Sequence, residues 1–402
     1  MSGVIIVGGG HAAGQVSASL RQEGFEGAIT IIGEEPHPPY QRPPLSKAYL
    51  AGEQGIEKVY LRPEKFYADK DIELLKGIKV DAIDVKAKSV TSSDGETRSW
   101  DHLVLATGTR PRKLSIEGSD LGGIHYLRSI IDVDGIRAEV KPDTKLVIVG
   151  GGYIGLEVAA VAIEAGASVK VLEMEERILQ RVTTEQMSAF YHQLHTSKGI
   201  DIRVNTGVTG FTGKNGRVEQ VQCGEQTIDA DLVIVGIGVI PNSELASQAG
   251  IDCDNGVVVD DHCKTSAAIV YAIGDCSNHP NPLLERRLRL ESVPNAMEQA
   301  RVTASNICGK DKIYSSMPWF WSDQYDLKLQ MLGFSADGDE AVLRGDMGEN
   351  KFAVFYLKAG AIVAVDAVNS PREFMAAKQL VGKSIDQATL ADTSIEMKDL
   401  LG

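Results

Sequence analysis

Residues 4–14 read Val-Ile-Ile-Val-Gly-Gly-Gly-His-Ala-Ala-Gly, an apolar run that breaks into three glycines and then turns helical. Such a run is a strand buried on both faces, and glycines at its end let backbone N–H groups approach a phosphate at the start of a helix. Gly8 serves the tight turn, Gly10 the close approach, and Ala13 or Gly14 the contact between helix and strand. Ala13, Val16 and Leu20 recur at helical spacing, and Gly24 stops the helix. Residues 28–32 make the next strand, and Glu34 beyond it is suited to ribose hydroxyls.

The device returns at Lys145-Leu146-Val147-Ile148-Val149, which runs into Gly150-Gly151-Gly152-Tyr153-Ile154-Gly155, a full G-x-G-x-x-G. A helix over 156–165, stopped by Gly166, and a strand over 168–172 complete the unit, with Glu173 about 20 residues past the glycines. Two fingerprints in full context predict an α/β chain with two Rossmann-like nucleotide sites. Glu173 is followed by Met174, Glu175 and Glu176, with Arg177 the nearby cation, so a 2′-phosphate meets repulsion and NADH is favoured over NADPH. Tyr153 and Glu157 share a helix face, and the apolar residues around Glu157 predict a partly buried carboxylate that needs a donor.

At 402 residues, 43% hydrophobic and 24% charged, the chain has the make-up of about two to three globular domains. The five cysteines, Cys223, Cys253, Cys263, Cys276 and Cys308, contain no C-x-x-C pair, which argues against a disulfide framework or a cysteine-built metal site. No metal is expected. Met1 leads directly into the first strand, no secretory leader is visible, and no apolar run reaches the roughly 20 residues that span a bilayer. The expected location is a reducing cytoplasm. A net charge of −14 works against nonspecific binding to nucleic acid or anionic membranes.

Prolines at 36, 38, 39, 43 and 44 stiffen the approach to Leu45-Ser46-Lys47, a loop expected over the nucleotide. Short strands are expected at 77–80 and 89–92 around the turn Asp94-Gly95, and a buried strand over 103–106 stopped by Thr107-Gly108. Residues 232–235 are another buried strand, ending at Gly236-Ile237-Gly238, and 269–276 is again a strand into a glycine, Gly274, followed by a carboxylate, Asp275.

Ala106-Thr107-Gly108, residues 236–238 and 271–276, with the two glycine loops, resemble the two-dinucleotide-domain flavoproteins of the glutathione-reductase-like fold. More narrowly, residues 40–47, 126–128, 150–157, 291–296 and Pro318-Trp319-Phe320-Trp321-Ser322-Asp323-Gln324 resemble the NADH-dependent ferredoxin reductases of bacterial cytochrome P450 and aromatic-ring dioxygenase systems, over nearly the whole chain. The resemblance implies a discontinuous FAD domain (1–110 and 237–314), an NADH domain (111–236) and an α+β C-terminal domain (315–402). In the last, strands are expected at 328–331, 352–357 and 361–368, a helix at 371–381 and a loosely held tail over 392–401.

By the same resemblance Gly8, Gly10, Ala12, Glu34, Lys47, Val80, Arg128, Asp275 and Val293 contact FAD, and Lys47 lies near flavin N5, where its charge stabilises the reduced ring. Ala13, Gly14, Arg42, Ala106, Thr107, Gly108, Gly238, Gly274, Ser292 and Trp319 join the cofactor contacts. Gly150, Gly152, Ile154 and Gly155 carry NADH, Glu173 its adenosine ribose, and Glu157 with Glu291 its carboxamide, while Tyr153 shields the nicotinamide and Trp321 covers the flavin edge.

Disulfide reductases of this fold need a cysteine pair beside the flavin, and its peroxide or oxygen reductases one reactive thiol after the first nucleotide unit. Here Leu45-Ser46-Lys47 occupies that region, and no cysteine precedes Cys223. Cys276 then reads as a small buried filler. The expected activity is hydride transfer from NADH to FAD and release of single electrons to a [2Fe-2S] ferredoxin serving a monooxygenase or dioxygenase. An NADH oxidase, or an NADH-binding flavoprotein resembling apoptosis-inducing factor, is the alternative. Arg286, Arg287, Arg289, Arg301 and Lys328, with Trp321, are the expected docking patch, because a net-acidic enzyme meeting an acidic ferredoxin needs a local positive field.

Overall fold

Gly3–Val7 is the middle strand of a parallel sheet ordered Val270–Ala272, His102–Leu105, Gly3–Val7, Ala28–Gly33, Ile72–Lys76. Both faces are covered, which leaves Val4 to Val7 at most 4% exposed and explains the lack of polar alternation there. Helix His11–Gln22 buries Ala13, Val16 and Leu20 in one core with Ala300 and Ala304 of helix Val293–Ile307. These elements form one unit, Met1–Arg42, Gly55–Arg110 and Val239–Pro318. The computed structural model describes residues 3–401.

The second unit comprises Pro43–Gln54, Pro111–Gly238 and Trp319–Gly402, so the Leu45-Ser46-Lys47 stretch clusters apart from the segments that flank it in sequence. Its parallel sheet is ordered Asp201–Arg203, Ser168–Leu172, Lys145–Val149, Leu232–Val235, Ile124–His125. Its antiparallel sheet is ordered Trp319–Gln324, Leu327–Leu332, Ala361–Val368, Lys351–Lys358, Glu340–Asp346, with helix Pro371–Leu380 packed on it through Phe374, Ala377 and Leu380. Trp319–Gln324 and Glu340–Asp346 are additions to the three strands expected in this region.

The strand expected at 77–80 is displaced. Gly77, at φ +69, terminates Ile72–Lys76, and the hairpin strand runs Val80–Asp84 instead. The tail over 392–401 is not loose: the Arg344 guanidinium, 4% exposed, donates to the carbonyls of Leu390, Asp392 and Ile395, and Met397 is 7% exposed. A buried guanidinium must spend its N–H groups on fixed acceptors, and the tail supplies them. Among the described residues no helix is long and apolar enough to cross a membrane.

Asp366 lies within the antiparallel sheet, its Oδ2 accepting from Thr183 Oγ1 at 2.8 Å and Tyr356 OH at 2.9 Å. Burial pushes its carboxyl up from 3.8 to about 6 against the pull of those hydroxyls. The folded chain therefore holds this proton more readily than the unfolded one, and the resulting stability is complete below pH 3.8 and lost as pH rises through 6. Asp366→Asn should accordingly gain about 2 kcal/mol relative to the unmutated protein between about pH 4 and about pH 8, measured by urea unfolding. A difference that does not change with pH would mean that this carboxyl does not titrate there.

Candidate functional site

The first glycine loop rests on a steric constraint. A Cβ on Gly8, at φ +119, would lie 2.2 Å from the Ala106 carbonyl oxygen, so glycine alone passes the end of the adjacent strand. Gly10 is the opposite case. A Cβ there would meet nothing within 4 Å, and Gly10 caps helix His11–Gln22 with no side-chain acceptor and no acidic residue in the first turn. The helix start is thus open to an anion, as a pyrophosphate requires. Ala13 is fully buried in the core, whereas a Cβ on Gly14 would strike Pro39 at 2.8 Å, which assigns the helix contact to Ala13 and the fit of the proline loop to Gly14.

Around that loop, Thr107 Oγ1 donates to the Asn242 carbonyl at 2.6 Å and Asn242 Nδ2 returns a bond to the Thr107 carbonyl at 2.9 Å, which fixes the 106–108 turn. A Cβ on Gly274 would come within 3.3 Å of Ala12, and Asp275 Oδ2 accepts from Thr109 Oγ1 at 3.3 Å. Glu34 is exposed beyond its strand, while the next carboxylate, Glu35, pairs with Arg42 at 2.6 Å. Val80 is 3% exposed in the apolar core with Ile5 and Leu105. Ser292 caps helix Val293–Ile307. Glu291 is ion-paired with Arg289 at 2.7 Å.

Two arginines of this unit hold neighbouring loops. Arg289 also donates to Asn255 Oδ1 and the Asp275 carbonyl, and Arg287 donates to the carbonyls of Val259 and Asn278. Both are committed to holding loops together. Arg286, Arg287 and Arg301 are exposed. Asp260, Asp261 and His262 bring potential metal-ligating atoms within 4.8 Å of one another, but the His262 ring nitrogens already bond Asp261 and Asp311.

In the second unit the glycine device is repeated. A Cβ on Gly150, at φ +109, would lie 2.4 Å from the Gly236 carbonyl oxygen, and one on Gly155 2.5 Å from the Gly150 carbonyl oxygen. Gly152 has nothing within 4 Å of its Cβ position and caps helix Tyr153–Glu164 without a side-chain acceptor or a first-turn acid. Ile154 beside it is 49% exposed. Glu173 is drawn into the loop, Oε2 accepting from the Gly151 N–H at 2.7 Å and Oε1 from the Glu175 N–H at 2.9 Å. Arg177 donates to the Thr183 and Gln180 carbonyls and to Ser188 Oγ, so it is turned inward rather than toward a 2′-phosphate. Gly238 accepts from the Arg112 N–H, and Arg128 from its own N–H donates to Asp132 Oδ2.

Glu157 is 3% exposed, and its donors come from far along the chain. Oε2 accepts from Ser46 Oγ at 2.5 Å and Lys47 Nζ at 2.7 Å, and Oε1 accepts from Ser322 Oγ at 2.6 Å. Ser46 and Ser322 are the partners that sequence reasoning missed; alternation along Trp319–Gln324, which buries Ser322 and Gln324, is the signal that pointed to one of them. Tyr153 OH donates to Met331 Sδ at 2.8 Å, its ring lies 5.4 Å from Phe320, and burial holds its phenol well above the usual range. Trp319 and Trp321 stack at 5.7 Å on the other strand face, with Lys378 Nζ 4.7 Å over the Trp319 ring. Lys328 is exposed.

Cys276 is fully buried with its thiol donating to the Leu105 and Ile273 carbonyls, and burial raises its pKa, as it does for Cys263, which is pushed up to about 12. Neither is a ready thiolate.

The model of the pyridine nucleotide-disulphide oxidoreductase family matches residues 2–300, and that of the reductase C-terminal domain matches 319–401. The chain is 45% identical to putidaredoxin reductase CamA of Pseudomonas putida, over 99% of this chain and 96% of that one. It is 42% identical to a ferredoxin–NAD(P)(+) reductase of Sphingomonas, over 99% and 97%. Among solved structures, it superposes on the reductase of the covalent putidaredoxin reductase–putidaredoxin complex with TM-score 0.96 at 44% identity, covering 100% of this chain and 98% of the other. The ferredoxin reductase for the CYP199A2 system of Rhodopseudomonas palustris gives TM-score 0.96 at 38% identity, covering both chains fully.

The open space at Gly10 and Gly152 makes separate tests of the two loops. Gly152→Val should weaken NADH binding by roughly tenfold or more while FAD content stays full, and Gly10→Val should lose FAD with the fold kept, because each side chain enters only the anion's space. Flavin content by absorbance and NADH titration read the two effects; binding of both nucleotides unchanged in both variants would remove the anion role.

Proposed function

The chain belongs to the pyridine nucleotide-disulphide oxidoreductases, and we propose that within them it is an FAD-dependent reductase that takes hydride from NADH and reduces a [2Fe-2S] ferredoxin of a monooxygenase or dioxygenase system. The observation that carries this reading is the Lys47–Glu157 pair, with its carboxylate buried, a held cation in the stretch where, by resemblance, thiol-using members of the fold carry a cysteine. Bound FAD supplies the conversion of a two-electron donor into single electrons.

The residues have separable tasks. The uncapped helix starts after Gly10 and Gly152 bind pyrophosphates. Lys47, its ammonium held by Glu157 Oε2, provides positive charge for the reduced ring. A carboxylate offers about four acceptor positions, and Ser46, Lys47 and Ser322 fill three at Glu157, leaving room for one donor such as the nicotinamide carboxamide. Tyr153, locked by Met331 and Phe320, shields the nicotinamide. By resemblance Trp319 and Trp321 would border bound flavin, and the proposed functional domains are 1–110 with 237–314 for FAD, 111–236 for NADH and 315–402 for the C-terminal domain.

Ferredoxin docking is assigned to Arg286, Arg287, Arg289, Arg301 and Lys328 with Trp321, of which Arg287 and Arg289 also hold loop carbonyls and Glu291. The match to a reductase covalently joined to putidaredoxin supports a ferredoxin partner. We place the protein in the cytoplasm.

Cytochrome c reduction by NADH, measured with and without a [2Fe-2S] ferredoxin, tests the activity. Turnover should depend on the ferredoxin; equal NADH consumption without it would favour an oxidase, and very slow flavin reduction an NADH-binding protein. Glu173→Ala should lower kcat/KM for NADH about tenfold while NADPH changes less than about twofold, because ribose bonds are lost but repulsion also falls. Equal losses for the two would confine Glu173 to supporting the Gly151 turn.

A further inference from the structure

Ser322, which bonds Glu157 Oε1, is itself the end of a longer chain within the second unit. Gln324 Nε2 donates to Ser322 Oγ at 3.1 Å, His195 Nε2 lies 2.7 Å from Gln324 Oε1, and Tyr325 OH lies 3.1 Å from His195 Nδ1. Ser322 and Gln324 alternate inward on strand Trp319–Gln324, each at most 1% exposed, and His195 is fully buried near the end of helix Glu185–Ser197.

The direction of every bond is forced from the carboxylate outward. A carboxylate paired with Lys47 only accepts, so the Ser322 hydroxyl donates to it and must accept from the Gln324 amide nitrogen. The Gln324 carbonyl then needs a donor, which makes His195 the Nε2–H tautomer. Its Nδ1 is left to accept from Tyr325 OH. All groups point their dipoles the same way, and such chains strengthen cooperatively in a low-dielectric interior.

We propose that Tyr325, His195, Gln324 and Ser322 are a one-way hydrogen-bond chain that holds Glu157 from behind and thereby positions Lys47, making them positioning residues for hydride transfer. The proposal rests on the reductase reading for its kinetic consequence and on geometry alone for the chain. His195 stays neutral because burial lowers its pKa to about 4, against the bond to Gln324 and with His192 pushing the same way as burial. Tyr325 stays protonated, its pKa raised by burial and by Glu164, with Lys198 over its ring at 5.3 Å. Protonated His195 would present donors on both nitrogens and break the order at Tyr325.

Two measurements on the FAD-loaded full chain test this. In protein carrying ¹⁵N-labelled histidine, His195 should be neutral with the proton on Nε2 from about pH 6 to about pH 8; an Nδ1–H tautomer or a charged ring overturns the chain whether or not NADH reduces the flavin, so the two failures are separable. In stopped flow, His195→Phe and Gln324→Leu should lower the limiting rate of flavin reduction by roughly three- to tenfold with flavin content and NADH affinity held within about twofold, as expected for losing one polarised hydrogen bond. His195→Gln, whose amide can donate from the Nε2 position, should recover most of that rate. Limiting rates unchanged in both truncations, or His195→Gln no better than His195→Phe, overturn the positioning role.

Discussion

A carboxylate buried among Leu156, Val158, Ala159 and Ala160 costs several kcal/mol unless donors reach it, and the second unit is organised to bring them. Ser46 and Lys47 come from Pro43–Gln54, Ser322 from Trp319–Gln324, and Glu157 itself from the helix that opens at the second glycine loop. That requirement accounts for the membership of the unit. Pro43–Gln54 clusters with elements 85 and 110 residues away because its polar groups are spent there, through Tyr49 OH to Asp134 and through Lys47 to Glu157. Removing any one donor would leave the buried Glu157 carboxylate short of a hydrogen bond, so these distant segments are constrained together.

The two glycine loops show one solution reached twice. In each, the first glycine passes a carbonyl that follows the neighbouring strand, Ala106 in one and Gly236 in the other, and the third leaves an uncapped helix start over open space. They diverge at the acid after the second strand. Glu34 is exposed, whereas Glu173 closes onto Gly151 and Glu175. A carboxylate already braced by backbone N–H groups is held at a fixed place, and a fixed acceptor discriminates against a 2′-phosphate better than a mobile one.

What could be read in advance follows the range of the forces. Lys145–Val149, Ser168–Leu172, Leu232–Val235 and Ala361–Val368 are legible to the residue because each is an apolar run bounded by glycine, acid or turn residues. Ile72–Lys76 is not, since Glu73 and Lys76 interrupt an edge strand that has only one neighbour to satisfy. Trp319–Gln324 hides behind its aromatic content, and Glu340–Asp346 behind its exposed charges. At the site, the burial of Glu157 and its need for a donor could be inferred from its apolar neighbours. Which donors answer it, 110 and 165 residues away, depends on tertiary closure that no local pattern records. The anchored tail is the same case, because Arg344 gives no sign in sequence that residues 390–395 will supply its acceptors.

The choice of Lys47 has a chemical consequence for how electrons can leave. A thiol relay needs a sulfur that is partly exposed, near a positive charge and easily ionised. Cys263 and Cys276 are fully buried with raised pKa values, Cys223, Cys253 and Cys308 are also pushed up by burial, and the Leu45-Ser46-Lys47 stretch contains no sulfur. An ammonium can stabilise negative charge but forms no mixed disulfide and stores no electrons. A site built on the Lys47–Glu157 pair therefore forms no mixed disulfide, which suits direct transfer to an acceptor that approaches the protein. Such an acceptor gains by carrying one electron at a time and by docking briefly, which is the chemistry of a small iron-sulfur protein rather than of a disulfide substrate.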